Sequence, residues 1–359
     1  MLGEDIVYYS KDDSKVLKGI ALCLMLCHHL FAFPEKTAYE FFSFVSFGGM
    51  PLSVYIGQFG RICMPMFLFL SGYGTYLSAR KTEVTETFVL KRIFALYRQV
   101  WTVFVISLPF TLILRPSVTV HTVRDIIYNF LGLNCTFNEE WWFIVPFAVL
   151  MLLFPTVKRF LDRKNASPFI DLLLLLLYSV FYNYILPPLS SYFVFSTFVV
   201  SEFWHKMKET LSIFPAFFLG CYFAKYALLD KLKSRCAGKP LYCVLSVLGM
   251  TALFYLHLYN FLYYDFINAA LFICCIIILL PVKFLALPCK LLKIIADQST
   301  FIWLTHTFFC YYWCQKLIYA PKYSVLIFLW LLLISFAAAK LLTHVSGKAE
   351  KLLKRAAAK

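Results

Sequence analysis

The chain has 359 residues, of which 61% are apolar, 19% aromatic and only 15% charged, with a formal net charge of +15. That apolar share exceeds what a water-soluble core and surface accommodate, so a soluble globular protein is excluded and an all-α polytopic membrane protein is expected. The basic excess does not point to nucleic acid: laid out along the apolar runs, 25 Lys and Arg fall in segments on one side and 8 on the other, which is the positive-inside pattern of a membrane protein.

Apolar runs long enough to cross roughly 30 Å of hydrocarbon are centred near Ala21, Phe67, Val103, Ala148, Leu174, Phe217, Val247, Phe272, Phe308 and Leu332. They predict about ten transmembrane helices with both termini cytoplasmic. A single ten-helix membrane domain over 1–345 is followed by a basic cytoplasmic tail, 346–359. The acidic, polar stretch GEDIVYYSKDD before the first run, and the absence of a small-residue cleavage site after it, argue against a cleavable signal peptide. Of the 12 cysteines, those outside the spans are Cys135 in an outer loop and Cys236 inside, so no disulfide framework is expected. Cys23 with Cys27, and Cys310 with Cys314, have i, i+4 spacing. Neither pair has a matching histidine or carboxylate pair, and they read as small packing residues, with no metal site expected.

The first predicted helix carries Lys18 at its cytoplasmic mouth and two adjacent histidines, His28 and His29, deep in the run. Ionisable residues inside spans are costly and usually mark a pathway or chemistry. Lys18 and His29 are eleven residues apart, which is about 16 Å along the axis and three turns plus about 20° around it, so the two share a face. His28 points about 80° away from that line. A cation and a deep imidazole on one stripe suit an anionic cosubstrate reaching in from the cytoplasm; a snorkelling lysine and a helix-packing histidine would give the same pattern.

The second span contains FLSGYG, where Ser71 and Gly72 allow another helix or a ligand close to the backbone. The third opens with Lys91 and Arg92, with Arg98 about two turns deeper. The fourth opens with NEEWWF, which sets Glu139 and Glu140 beside Trp141 and Trp142, either at an acceptor or at the membrane boundary. In the outer segment SEFWHKMKE, Glu202, Trp204 and His205 form a polar and aromatic group suited to a sugar ring or to an interfacial helix. The ninth run, STFIWLTHTFF, places His306 inside the bilayer.

Taken in order, these elements resemble the acyltransferase-3 family of integral membrane O-acyltransferases over nearly the whole chain. That family's first span carries a basic residue, ten intervening residues and a histidine, matched by Lys18 and His29. Its phenylalanine-rich LSG element matches Phe67 to Gly72, its tryptophan-containing fourth-span start matches Trp141 to Phe143, and its late serine-to-histidine element matches Ser299 to His306. Two positions depart from it. Lysine stands at 18 where arginine is usual, and Ala95 stands where a second arginine follows Arg92; lysine binds phosphate as a point charge rather than as a fork.

The resemblance implies an acetyl-CoA donor whose phosphates meet Lys18, Lys91 and Arg92, and a glycan or lipid-linked sugar acceptor bordered by Ser71, Glu140, Trp141, Trp142, Glu202 and Trp204. His29 would act as general base or as a transient acyl carrier, with His306 beside it or beside the acceptor. The expected location is the plasma membrane of a bacterium, with the lipid bilayer as the surrounding partner. A transporter of a sugar or lipid precursor is the alternative. Such proteins often carry internal repeats with broken helix pairs at corresponding positions, and the two halves of this sequence show no such correspondence.

Overall fold

The computed structural model describes residues 8–37, 39–114, 122–187, 198–259 and 265–357. Apart from a two-stranded hairpin, β1 (Ser46–Phe47) and β2 (Met50–Pro51), and an isolated bridge between Phe42 and Tyr323, the regular structure there is helical. The principal helices are α1 (Lys11–Phe31), α2 (Leu52–Phe59), α3 (Cys63–Ala79), α4 (Glu86–Leu114), α5 (Val123–Phe130), α6 (Ile144–Leu161), α7 (Pro168–Val180), α8 (Phe198–Lys225) and α9 (Leu228–Cys236). They continue as α10 (Pro240–Leu258), α11 (Asp265–Leu279), α12 (Ala286–Ala296), α13 (Ser299–Thr307), α14 (Gln315–Tyr319) and α15 (Ser324–Ala357).

Among the described residues, seven helices are long and apolar enough to cross a membrane, and nine crossings result if two bent pairs each count as one. The bent pairs are Trp204–Lys225 with Leu228–Cys236, and Asp265–Leu279 with Lys283–Ala296. The expected run that yields no such helix is the one near Phe308. There α13 is only nine residues long and gives way to a π-helical turn, Phe308–Trp313, before α14 resumes after Cys314. Phe308 and Trp313 stack at 4.4 Å. Residues five apart face apart by about 140° in an α-helix, so this stack belongs to the wider π turn, a form that often sits at functional positions.

The chain divides into two compact units. One holds the residues up to Leu17, Met64–Ile93 and Phe143–Ala286; the other holds Lys18–Cys63, Phe94–Trp142 and Leu287–Lys359. In the first unit, α8 packs on α6, α7, α9 and α11, and α10 packs on α11. Helices α3 and α8 cross at two glycines: a Cβ on Gly72 would run into the backbone of Phe217, and one on Gly220 into the backbone of Phe69. The approach open to Gly72 from the sequence is thus taken by a helix.

Carboxylates pin the loop ends of this unit. Asp162 accepts from Tyr76, from Lys158 at 2.6 Å and from Lys225 at 3.1 Å. Asp171, fully buried, accepts from Arg163 at 2.5 Å and Tyr226 at 2.7 Å. The start of α1 is set by a Ser10–Asp13 pairing, in which Ser10 Oγ accepts the Asp13 N–H at 3.1 Å and Asp13 accepts the Ser10 N–H at 2.6 Å. Asp13 also receives Lys233 of α9 at 2.6 Å.

In the second unit α15 packs on α13 and α14, and α2 lies against α1. Gly57 and Gly60 make the latter contact possible, since a Cβ on either would meet the α1 backbone near Cys27 to Ala32 or near Leu24 and His28. Arg98 is paired with Glu350 at 2.6 Å, which gives this intramembrane arginine a structural partner.

Candidate functional site

The second unit gathers His29 of α1, Glu140 from the turn before α6, and His306 and Tyr311 from the α13 break. Helix α1 carries His29 in its last turn, where the side chain is 11% exposed. Tyr311 donates its hydroxyl to the His29 carbonyl at 2.7 Å, and the same oxygen lies 3.3 Å from His29 Nδ1. A hydroxyl has one proton to give; with that proton on the carbonyl, the tyrosine oxygen accepts from Nδ1–H. This leaves Nε2 of His29 as the basic nitrogen, 3.7 Å from Glu140 Oε2.

His306 lies against this pair, its ring centroid 4.9 Å from that of His29, and is fully buried. Its Nδ1 bends back onto its own helix, 2.8 Å from the Trp303 carbonyl and 3.1 Å from the Ile302 carbonyl. His28, by contrast, is spent on packing: its Nδ1 donates to the Gly57 carbonyl on α2 at 2.9 Å. The two adjacent histidines therefore face different neighbours, as their helical phase predicts.

A buried scaffold holds the carboxylate and the π turn in register. Asn138 Nδ2 donates to Thr307 Oγ1 at 2.8 Å, the Thr307 hydroxyl returns a bond to Asn138 Oδ1 at 3.0 Å, and the Glu140 N–H reaches the same Oδ1 at 3.1 Å. The Trp141 indole N–H donates to the Leu304 carbonyl at 3.1 Å, a group positioned where α13 gives way to the π turn. Asn138 and Thr307 are fully buried and Trp141 is 1% exposed, which makes Trp141 a support beneath Glu140 rather than an open surface for an acceptor. Tyr311, Asn138 and Thr307 were not singled out by the sequence. Tyr311 is five residues after His306, a spacing that α-helical periodicity places on another face.

A family profile described as an acyltransferase domain matches residues 12–344. The chain belongs to the acyltransferase-3 family. Neither the curated proteins nor the solved structures gave a match. The matched span contains His29, Glu140, His306 and Tyr311.

The other residues expected at the site are spread over both units. Lys18 is half-buried in the second unit, next to Gly19, where the backbone of α12 at Leu292 comes so near that a Cβ would clash. In the first unit Lys91 is exposed, and the Arg92 guanidinium lies 3.6 Å from the Phe88 ring centroid with Nη1 donating to the Phe88 carbonyl at 3.1 Å. Ser71, Trp142 and Trp204 are half-buried. His205 is paired with Glu209 at 3.1 Å. Glu202 is in α8, but its side chain lies outside the described residues. Beyond the end of α1, an open cleft of about 630 Å³ is lined by Pro34, Thr37, Tyr39, Glu40, Phe42 and neighbouring residues.

Proposed function

We propose that this membrane acyltransferase is an O-acetyltransferase that moves an acetyl group from cytoplasmic acetyl-CoA to a hydroxyl of a surface or lipid-linked glycan, in the plasma membrane of a bacterium. The observation that carries the reading is His29 Nε2 held 3.7 Å from Glu140 with His306 packed against the ring, in a chain of this family. His29 takes the proton of the acceptor hydroxyl at Nε2 as the oxygen attacks the thioester carbonyl; the carbon–sulfur bond breaks and the thiolate of CoA recovers a proton from the imidazolium. Glu140 stabilises that imidazolium, and Tyr311 fixes the tautomer that leaves Nε2 basic. In the covalent variant of the reaction, the same nitrogen attacks the thioester first and expels the CoA thiolate, and the acceptor oxygen then takes the acetyl group from the imidazole while its proton passes to that thiolate.

Lys18, Lys91 and Arg92 are the proposed contacts for the CoA phosphates, the two lysines as point charges and Arg92 as a fork. On the acceptor side the proposed contacts are Glu140, Trp142, Ser71, Glu202 and Trp204, with approach through the cleft beyond α1. The ten-span arrangement with both termini in the cytoplasm takes the seven long helices, the two bent pairs and the interrupted segment Ser299–Tyr319 as one crossing each. The 25-to-8 charge asymmetry supports that orientation.

The test uses the purified protein in lipid vesicles with labelled acetyl-CoA and a lipid-linked oligosaccharide. Release of free CoA matched one for one by label on the oligosaccharide is the expected result. Movement of the oligosaccharide across the bilayer with no acyl transfer contradicts it and restores the transporter reading.

A further inference from the structure

Between α1 and α2, Phe44 and Phe47 are 77% and 60% exposed, in a stretch from Phe41 to Gly60 that contains no Asp, Glu, Lys or Arg. Several phenylalanines on an uncharged surface mark a place where something apolar rests, since rings left in water lose hydrophobic free energy. The hairpin that carries them is a built element. Gly48 and Gly49 take the positive φ values, 54° and 80°, that a tight turn between β1 and β2 requires. Tyr55 donates its hydroxyl to the Phe47 carbonyl at 3.1 Å, so Phe47 and its strand partner Met50 are held at the tip.

The chain on either side fixes the level of this hairpin. Strand β2 runs directly into Leu52, the first residue of the spanning segment Leu52–Ala79. Ahead of the hairpin, the Phe42 N–H donates to the Lys322 carbonyl and the Phe42 carbonyl accepts from the Ser324 N–H, both at 2.8 Å, and Ser324 opens the spanning helix α15. Phe44 stacks on Tyr323 with centroids 5.5 Å apart and planes 11° from parallel. Helix α15 buries Ile327 and Leu331 on one side and leaves Val325, Leu326, Leu329 and Leu333 exposed on the other, the side that a spanning helix gives to lipid. Tyr323 and Phe44 continue that apolar face past the start of the helix.

We infer that the hairpin is a membrane-interface wedge, with Phe44, Phe47 and Met50 set among the upper acyl-chain segments of the leaflet in which α15 begins and bilayer lipid as the partner of this surface. The depth follows from the backbone. A two-stranded hairpin carries unpaired N–H and C=O groups along its edges, which hydrocarbon cannot satisfy. The rings therefore enter the leaflet while the strands stay at the headgroup level, where aromatic residues collect. The cleft beyond α1 is lined in part by Phe42, Met50 and Pro51, so the wedge holds one wall of that cleft at the membrane surface. None of this depends on which donor or acceptor the enzyme uses.

The experiment uses Phe44→Cys and Phe47→Cys, each on a background without other reactive thiols, labelled with a small polarity-sensitive fluorophore and reconstituted in lipid nanodiscs, which leave both faces open to an aqueous quencher. Glu83→Cys, exposed in the polar turn between α3 and α4, is the water-facing reference. At positions 44 and 47, a phospholipid with its nitroxide near the headgroup is expected to quench strongly, and more than one with its nitroxide at the chain end. Iodide is expected to quench there several-fold less than at the reference. Either position suffices if the other variant does not fold. Iodide quenching equal to the reference, with no effect of nitroxide lipid, overturns the inference. Protection from both quenchers overturns it too, because it assigns the surface to a second copy of the chain or to another protein, and so does stronger quenching from the chain end than from near the headgroup.

Discussion

Tyr311 holds His29 at two points, through the backbone carbonyl at 2.7 Å and the ring nitrogen at 3.3 Å. Replacing it by phenylalanine removes both bonds while keeping the ring, and the lost orientation is worth about 1–2 kcal/mol, or roughly 5- to 30-fold. Tyr311→Phe should therefore lower kcat by that factor in the acetyl-transfer assay and leave acetyl-CoA affinity unchanged; an equal loss of affinity would mean that the tyrosine acts through the fold. Glu140→Gln keeps the shape but loses the charge beside the imidazolium, so kcat should fall by at least about 10²-fold. A kcat within twofold of the parent would remove Glu140 from the chemistry. At this scale the sequence was informative where helical phase decides: His28 and His29 meet different neighbours, Gly57 for the first and Tyr311 and Glu140 for the second, because they are about 100° apart on one helix. It was silent on Tyr311, because no α-helical spacing joins that residue to His306.

The elements show where the pattern of apolar runs stops being sufficient. Long uniform runs such as those of α1, α4 and α15 fold as single helices of spanning length. The run around Phe308 is interrupted by His306 and by Thr300, Thr305 and Thr307, and α13 ends after Thr307 and opens into the π turn that brings Tyr311 round to His29. Its cause is tertiary: Asn138 and Trp141, from a segment more than 160 positions earlier in the chain, take up Thr307 and the Leu304 carbonyl. The glycines of FLSGYG were legible as a close approach, yet only the fold shows that α8 fills it at Gly72.

At the end of α6, Asp162 gives a pH prediction. Burial raises the pKa of this carboxyl, but hydrogen bonds from Lys158, Tyr76 and Lys225 outweigh that effect and bring it down to about 2. A folded pKa below the unfolded one means that the contribution is present above the ordinary value of 3.8 and is lost as pH falls toward about 2. Asp162→Asn should therefore lower Tm by a constant amount from pH 6 to 8, and the gap to the parent should close between about pH 4 and 2. A gap that persists at the acid end would assign the effect to packing.

For the molecule as a whole, the membrane class follows from composition, and the family profile over residues 12–344 fixes the acyltransferase. The direction in which the chain lies in the bilayer rests on its charge asymmetry. Single cysteines at Lys208 and Lys231, on a background without other reactive thiols, test it: an impermeant thiol reagent should label the first only from outside and the second only from the cytoplasm. Reversed labelling would put Lys18 on the wrong side for a cytoplasmic donor.

The account as a whole depends on His29 being the group that acts on the thioester or the hydroxyl. The most direct measurement is label transfer from acetyl-CoA to the acceptor by His29→Ala and His28→Ala proteins, each checked for folding and for acetyl-CoA binding. His29→Ala should lose about 10²- to 10⁴-fold in rate, the usual cost of removing a general base, while still binding acetyl-CoA. His28→Ala, which gives up its bond to the Gly57 carbonyl, should keep substantial activity. Transfer by His29→Ala at the parent rate would contradict the account and leave His29 as a packing residue at the end of α1.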